Sequence, residues 1–265
     1  MVSMKSLVTA VAVATTAFAS PIQTRSTSSK RGLAFNFQTK LGLFNNHGLT
    51  WSYNWNPTTD GEQPLGEYAP MLSTMKEIDQ FRSALAGLGR VDHLLGFNEP
   101  DHASQANMSP ESAVNYYKQY ISPYHGKAEL GTPAITSADE PGKGLNWMDQ
   151  FLGQCNGACN VDFMVTHWYG NNDSGEQNAD AFLQYVDRAV DLAHKYGISK
   201  IWITEFGFGY NSGVPRDQRA AFLRKVLPAL DANPSVERYA YFFDLNLQDG
   251  ESSDSLGEEA QVYVA

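Results

Sequence analysis

Cysteine is almost absent from this chain of 265 residues, which holds two, and histidine is sparse at six. Cys155 and Cys159 lie in CNGAC with no further thiol and no nearby histidine, so the usual zinc ligand sets are excluded and no metal is expected. A glycine in so short a loop permits a tight disulfide between the two. Basic residues are also in deficit, 19 against 29 acidic, for a formal charge of −10. Phosphate binding needs clustered Lys and Arg, so nucleic acid and anionic membranes are excluded as partners and a neutral polymer fits better. No glycine-rich phosphate loop follows the first strand-like run. The later GFGYNSG (Gly207 to Gly213) lacks a Lys-Ser or Lys-Thr, so no nucleotide cofactor is expected and a doubly wound open sheet loses its marker.

Long apolar runs are missing as well. Leu7 to Ala19 is too short to span a membrane; it follows Lys5 and ends in Ala17-Phe18-Ala19, the pattern of a secretory signal over residues 1–19. Pro21 to Arg31 is polar and closes on Lys30-Arg31, which reads as a propeptide over 20–31 cut after a dibasic pair. Residues 1–31 carry four basic side chains and no acid, so the charge falls from −10 to −14 without them. A secreted protein, extracellular or in a cell wall, is expected. Asn172-Asp173-Ser174 is a glycosylation sequon; Asn107-Met108-Ser109 is another, disfavoured by Pro110.

What remains, residues 32–265, has no linker or repeat and reads as one domain. Eight short runs rich in β-branched or aromatic residues recur: Leu33 to Phe37, Leu49 to Trp55, Tyr68 to Leu72, His93 to Asn98, Ala128 to Ile135, Phe163 to Tyr169, Lys200 to Phe206 and Arg238 to Asp244. Between them, Met75 to Leu88, Ser109 to Tyr120, Asn178 to Tyr196 and Arg216 to Leu230 carry apolar residues at helical spacing. Ser109-Pro110 starts one of these helices with a capping serine and a proline at its first position. The alternation predicts a compact (β/α)₈ barrel, with early units abbreviated because only about ten residues separate Phe37 from Leu49.

Two glutamates, 106 residues apart, close strand-like runs: Glu99 in LLGFNEPD and Glu205 in KIWITEFGFG. Counting strands puts them after the fourth and at the seventh, so both reach the carboxyl end of one barrel. Paired carboxylates at one mouth suit glycosidic bond cleavage, one protonating the leaving oxygen while the other attacks or activates water.

Asn98-Glu99-Pro100 and Thr204-Glu205-Phe206-Gly207 resemble the acid/base and nucleophile signatures of clan A glycoside hydrolases. With SYNW (Ser52 to Trp55), GFNEPD and THWYG (Thr166 to Gly170), the chain resembles glycoside hydrolase family 128 over most of residues 33–245. That resemblance implies a retaining hydrolase of β-1,3-glucan, cleaving internally, with Glu205 as ionised nucleophile and Glu99 as protonated acid. It implies carboxyls about 5 to 5.5 Å apart, Asn98 on the sugar 2-hydroxyl and Tyr169 orienting the nucleophile.

His167 shares strand parity with Tyr169 and joins the binding candidates, with Trp168 as a further sugar platform. Tyr53 and Trp55 are expected in the cleft, and Trp51 in the core. Asp101 and His102 follow the acid, where they line subsites or cap a turn. Strand eight, ending Tyr241-Phe242-Phe243-Asp244, lacks the tryptophan many clan members place there. Nothing in the chain demands a partner, so a monomer is expected. Two rival readings stay open: a clan A hydrolase of another β-glycan, and a non-catalytic β-glucan-binding protein on a hydrolase scaffold.

Overall fold

A computed structural model describes residues 30–87, 91–209, 212–242 and 254–265. The expected leader, most of the expected propeptide and the last two residues of the expected eighth strand lie outside them. Eight strands follow in order: β1 Arg31–Ala34, β2 Trp51–Tyr53, β3 Glu67–Tyr68, β4 His93–Leu94, β5 Glu129–Leu130, β6 Met164–Tyr169, β7 Ile201–Gly207 and β8 Val236–Phe242. All paired strands run parallel. Six form a sheet in the order β3-β2-β1-β8-β7-β6, and β4 pairs with β5. Single bridges close the ring, Met71 with Leu95 on one side of that pair and Gly131 with Phe163 and Ile135 with Thr166 on the other. The barrel expected from the alternation is therefore present.

Several strands are shorter than their apolar runs, for a local reason. Pro70 and Pro133 interrupt the third and fifth runs, and proline brings no N–H to a ladder. The helices are α1 Ile78–Gly87, α2 Pro110–Tyr120, α3 Gly144–Cys155, α4 Gly175–Lys195, α5 Arg216–Ala232 and α6 Glu258–Tyr263. A single 3₁₀ turn, Leu41–Phe44, stands between β1 and β2, and no helix between β2 and β3, so the early units are abbreviated as expected. Ser109 caps α2 by accepting from the Ser112 N–H, and Ser174 with Gln177 forms a capping box on α4. Cys155 and Cys159 are joined as a disulfide across 5.4 Å between their Cα atoms, closing the turn after α3.

The core has two layers. Phe182, Tyr185, Val186, Ala189 and Ala193 of α4 pack on the outside of the strands with other helix faces. Inside the barrel, Trp51, Tyr53, Phe163 and Trp202 fill the lower half, with Trp202 stacked on Phe163 at 4.3 Å. Gly32 makes room for this filling, since a Cβ there would lie 2.2 Å from the Trp51 indole. Below the rings an ion network seals the amino end of the barrel. Arg238 pairs with Glu67 at 2.6 Å and Lys200 with Glu237 at 2.7 Å, while the Trp202 indole N–H donates to Glu237. Conserving such a lower face serves stability rather than chemistry in barrels of this kind.

Lys30 and Arg31 are built into the fold. The Lys30 ammonium donates to the carbonyls of Leu230, Asp231 and Asn233, capping the end of α5. Arg31 pairs with Asp231 at 3.0 Å and donates to the Tyr239 hydroxyl and the carbonyls of Tyr263 and Ala265. Cleavage after Arg31 would remove this clasp. Arg31→Ala is accordingly expected to lower unfolding free energy by about 2 to 3 kcal/mol, because several charge-assisted bonds lose one donor; urea denaturation measures it.

Candidate active site

Strand ends bring the two glutamates together at the carboxyl face. Glu205 sits in β7 where pairing with β8 shifts register between Ile203 and Phe206, and β6 shifts between Thr166 and His167 alongside. Such irregularities re-aim side chains into a site. Glu99 ends the extension of β4, held by its N–H to the Ala134 carbonyl at 2.7 Å. Its φ is +43°, and Trp55 has φ +62°. Every other non-glycine residue with positive φ among those described is Asn or Asp, residue types that tolerate it. A left-handed Glu and a left-handed Trp each hold about 1 to 3 kcal/mol of strain.

One imidazole joins the two carboxylates. His167 Nδ1 lies 3.0 Å from Glu99 Oε1 and 3.4 Å from Glu205 Oε2, and Nε2 lies 2.9 Å from Thr204 Oγ1. One ligand atom from each of Glu99, His167 and Glu205 falls within 4.8 Å of the others. Glu205 also accepts from the Trp55 indole N–H at 2.7 Å and from the Tyr169 hydroxyl. The Tyr53 hydroxyl donates to the Thr204 carbonyl behind them.

Burial would raise the pKa of Glu99, but the His167 hydrogen bond and charge outweigh it and hold this carboxyl below its usual range. Burial raises Glu205, aided by the Glu99 charge and only partly offset by its donors. His167 resists charge through burial, yet the Glu205 and Glu99 carboxylates raise it. Burial, then Glu205, pushes the Tyr169 phenol far up, so it remains a donor. Both shifts run against the protonated Glu99 and ionised Glu205 that the family resemblance implies. What lowers Glu99 against its burial is His167, one hydrogen bond away.

A cavity of about 530 Å³ opens above the trio, lined by Trp55, Asn98, Glu99, Tyr169, Glu205 and Phe242 among others. Of the sequence candidates, Asn98, Tyr169 and Trp55 meet it. The Asn98 Oδ1 is buried and has no hydrogen-bond partner among the described residues. Trp55, expected as a sugar platform, spends its N–H on Glu205.

Three candidates do not reach a sugar. Tyr53 is buried in the barrel interior, with the Trp55 ring packed against it at 5.0 Å and its hydroxyl on the Thr204 carbonyl. Trp168 points outward and stacks on Phe222 at 5.7 Å, between strands and helices. His167 is 0% exposed, roofed by the carboxylates it joins. Asp101 caps rather than binds, accepting from the Thr136 hydroxyl and the Gly144 N–H, whereas His102 lines the cavity. Thr204 and Phe242 were missed; Thr204 adjoins Glu205 in TEFG, and Phe242 stands on the eighth run.

A second cluster, His93, Glu129 and Glu237, also brings ligand atoms within 4.8 Å, but at the opposite face and with Lys200 bonded to both glutamates. Its negative charge is already matched.

The glycosyl hydrolase catalytic core family matches residues 32–261. The chain belongs to that family. Within it, the resemblance to glycoside hydrolase family 128 is borne out by solved structures. A curdlan-specific exo-β-1,3-glucanase of subgroup III from Blastomyces gilchristii, in complex with glucose, is 41% identical with a TM-score of 0.79, covering 90% of this chain and 98% of that one. An endo-β-1,3-glucanase mutant of subgroup I from Amycolatopsis mediterranei, in complex with laminarihexaose, is 27% identical with a TM-score of 0.73, over 89% and 98%. Alkali-sensitive linkage protein 1 of Schizosaccharomyces pombe is 31% identical over 259 residues, 91% of this chain and 45% of that protein. The chain spans less than half the length of this curated relative.

In this family 128 glycoside hydrolase, the donors on Glu205 can be tested singly. Trp55→Phe keeps an aromatic ring and removes the indole N–H. It should lower kcat roughly tenfold, the worth of one charge-assisted hydrogen bond, with an unchanged far-ultraviolet circular dichroism spectrum.

Proposed function

We propose that the protein is a secreted hydrolase that cleaves β-1,3-glucan with retention of configuration, using Glu205 as nucleophile and Glu99 as acid and then base. The observation that carries the mechanism is the closeness of the two carboxylates, with oxygens within 4.8 Å. Retaining enzymes place these groups about 5 to 5.5 Å apart; inverting ones leave about 6.5 to 9.5 Å for a water. The substrate reading is supported by the β-1,3-glucanases among the relatives. Secretion is supported by the apolar Leu7 to Ala19 and by the disulfide, a bond typical of oxidising compartments.

The steps follow from these contacts. Glu205, positioned by Trp55 and Tyr169, attacks the anomeric carbon as Glu99 gives a proton to the leaving oxygen. His167 Nδ1 lies 3.0 Å from Glu99 Oε1, so one hydrogen bond links the acid to a second proton-holding group. Transfer along that bond turns an imidazolium and carboxylate into a neutral imidazole and a carboxylic acid, so His167 is a proton-holding and positioning residue rather than a sugar contact. The glycosyl ester then forms on Glu205, and Glu99, now ionised, withdraws a proton from water to release the product. Asn98, on the cavity wall beside Glu99, would meet the 2-hydroxyl.

Glu99→Gln should lower hydrolysis of linear β-1,3-glucan by roughly 10² to 10⁴, and Glu205→Gln should abolish it; full activity in the Glu205 variant would overturn the mechanism. Proton NMR of the first product should show the β-anomer, and an α-anomer would replace retention with inversion. Binding without release of reducing ends would favour the non-catalytic alternative. A product profile on oligosaccharides of rising length reads the cleavage mode, which is exo in the relative at 41% identity and endo in that at 27%.

The pH dependence has a definite sign. Catalysis needs Glu205 ionised, and burial raises it, so kcat/KM should fall with acid at a pH above the ordinary glutamate value of about 4.3. It also needs one proton on the Glu99–His167 pair. The carboxylates raise His167 against its burial, so the alkaline fall should lie above about 6.5. An alkaline limb below that value would remove His167 from the proton path.

A further inference from the structure

Phe37 is the most exposed large apolar side chain among the described residues, 88% accessible. It stands at the carboxyl end of β1, on the catalytic face. A closed turn holds it there. The Asn36 side chain accepts from the Gln38 N–H at 2.8 Å, the Thr39 hydroxyl oxygen accepts from the Asn36 N–H at 2.8 Å, and the Thr39 N–H donates to the Asn36 carbonyl at 3.0 Å. The ring is thus presented to water by a turn whose own polar groups are paired.

Beside it lies a cavity of about 130 Å³, lined by Asn36, Phe37, Asn54, Asn56, Asp60 and Glu62 among others. Its polar wall is set. Asp60 accepts from the Asn54 and Asn56 amides at 3.3 and 2.6 Å and from the Thr58 hydroxyl at 2.9 Å. Asn54 and Asn56 flank Trp55, whose left-handed backbone turns its indole to Glu205. The small cavity is lined by Asn54 and Asn56, and the catalytic one by Trp55 between them. Adjacent strands are about 4.8 Å apart, close to the length of one pyranose ring, and the Phe35 N–H bonds to the Tyr53 carbonyl across that gap.

We propose that Phe37 and the Asn56–Asp60–Glu62 wall form a distal subsite for a glucosyl residue of the same polysaccharide, one or two units beyond the ring over Trp55. The chemistry matches: a β-linked glucose presents C–H faces that stack on an aromatic ring and equatorial hydroxyls that donate to carboxylate and amide oxygens at its edge. Among the described residues the ring is left uncovered. This subsite rests on the glucan-hydrolase reading.

The test compares Phe37→Ala, Phe37→Trp and the unaltered protein on β-1,3-gluco-oligosaccharides of increasing length and on soluble β-1,3-glucan. Phe37→Ala should leave kcat/KM unchanged on the shortest substrates and lower it roughly two- to tenfold once the chain is long enough to reach the subsite, mainly through KM. Phe37→Trp should restore it. Equal kcat/KM for Ala and unaltered protein at every length would overturn the subsite while leaving the hydrolase reading intact. A loss of the same size at every length would also overturn it, since the effect would then lie at the reacting ring. An unaltered protein that releases no reducing ends from any of these substrates would overturn the hydrolase reading and the subsite with it.

Discussion

Two carboxylates and one imidazole share a buried space in which their ligand atoms lie within 4.8 Å of one another. Two negative charges cannot occupy such a space without compensation. The surroundings read as that compensation: Trp55 and Tyr169 donate to Glu205, and the His167 imidazole bonds to Glu99 and lies 3.4 Å from Glu205. Meeting the requirement distorts the chain locally. Glu99 and Trp55 take left-handed backbones, and the strands carrying His167 and Glu205 slip register beside them. Strain of this kind persists only where the neighbourhood over-determines it.

The barrel interior separates these demands. Aromatic rings fill the middle, with Trp51, Phe163 and Trp202 in mutual contact, and the ion network of Glu67, Arg238, Lys200 and Glu237 closes the far end. Below the site, therefore, side chains are paired and packed, and Glu67 and Glu237 are held ionised against their burial by His93 and Arg238 and by Lys200 respectively. Above it, the irregular ends of short strands carry the chemistry. A rigid lower half is what allows the upper half to be strained.

The glutamates could be read from the chain because each closes an apolar run and strand order then fixes a common face. Parity on β6 correctly set Tyr169 and His167 together and Trp168 apart, but it carried no information about what would roof the imidazole. On β2 parity set Trp51, Tyr53 and Trp55 on the barrel interior together, but it carried no information about depth, and Tyr53 lies beneath the cleft that Trp55 lines. Helix α3 was not recognised although Trp147, Met148, Phe151 and Leu152 have helical spacing. Its start lacks a local Ser, Thr or Asp cap; the Gly144 N–H is satisfied by Asp101, 43 residues earlier. Long-range caps of this sort leave no mark in a local window. The contacts of the dibasic pair are invisible in the same way, because its partners lie some 200 residues downstream.

That clasp bears on how the molecule is made. Strand β1 has β2 on one edge, but its other edge waits for β8, and the Arg31 guanidinium waits for carbonyls up to 234 positions later. On the ribosome, the first strand must therefore remain half-paired until β8, some 200 positions later, is synthesised. The seam of the barrel closes late, between its first and last strands, and contacts so distant in sequence form slowly and leave strand edges exposed in the meantime.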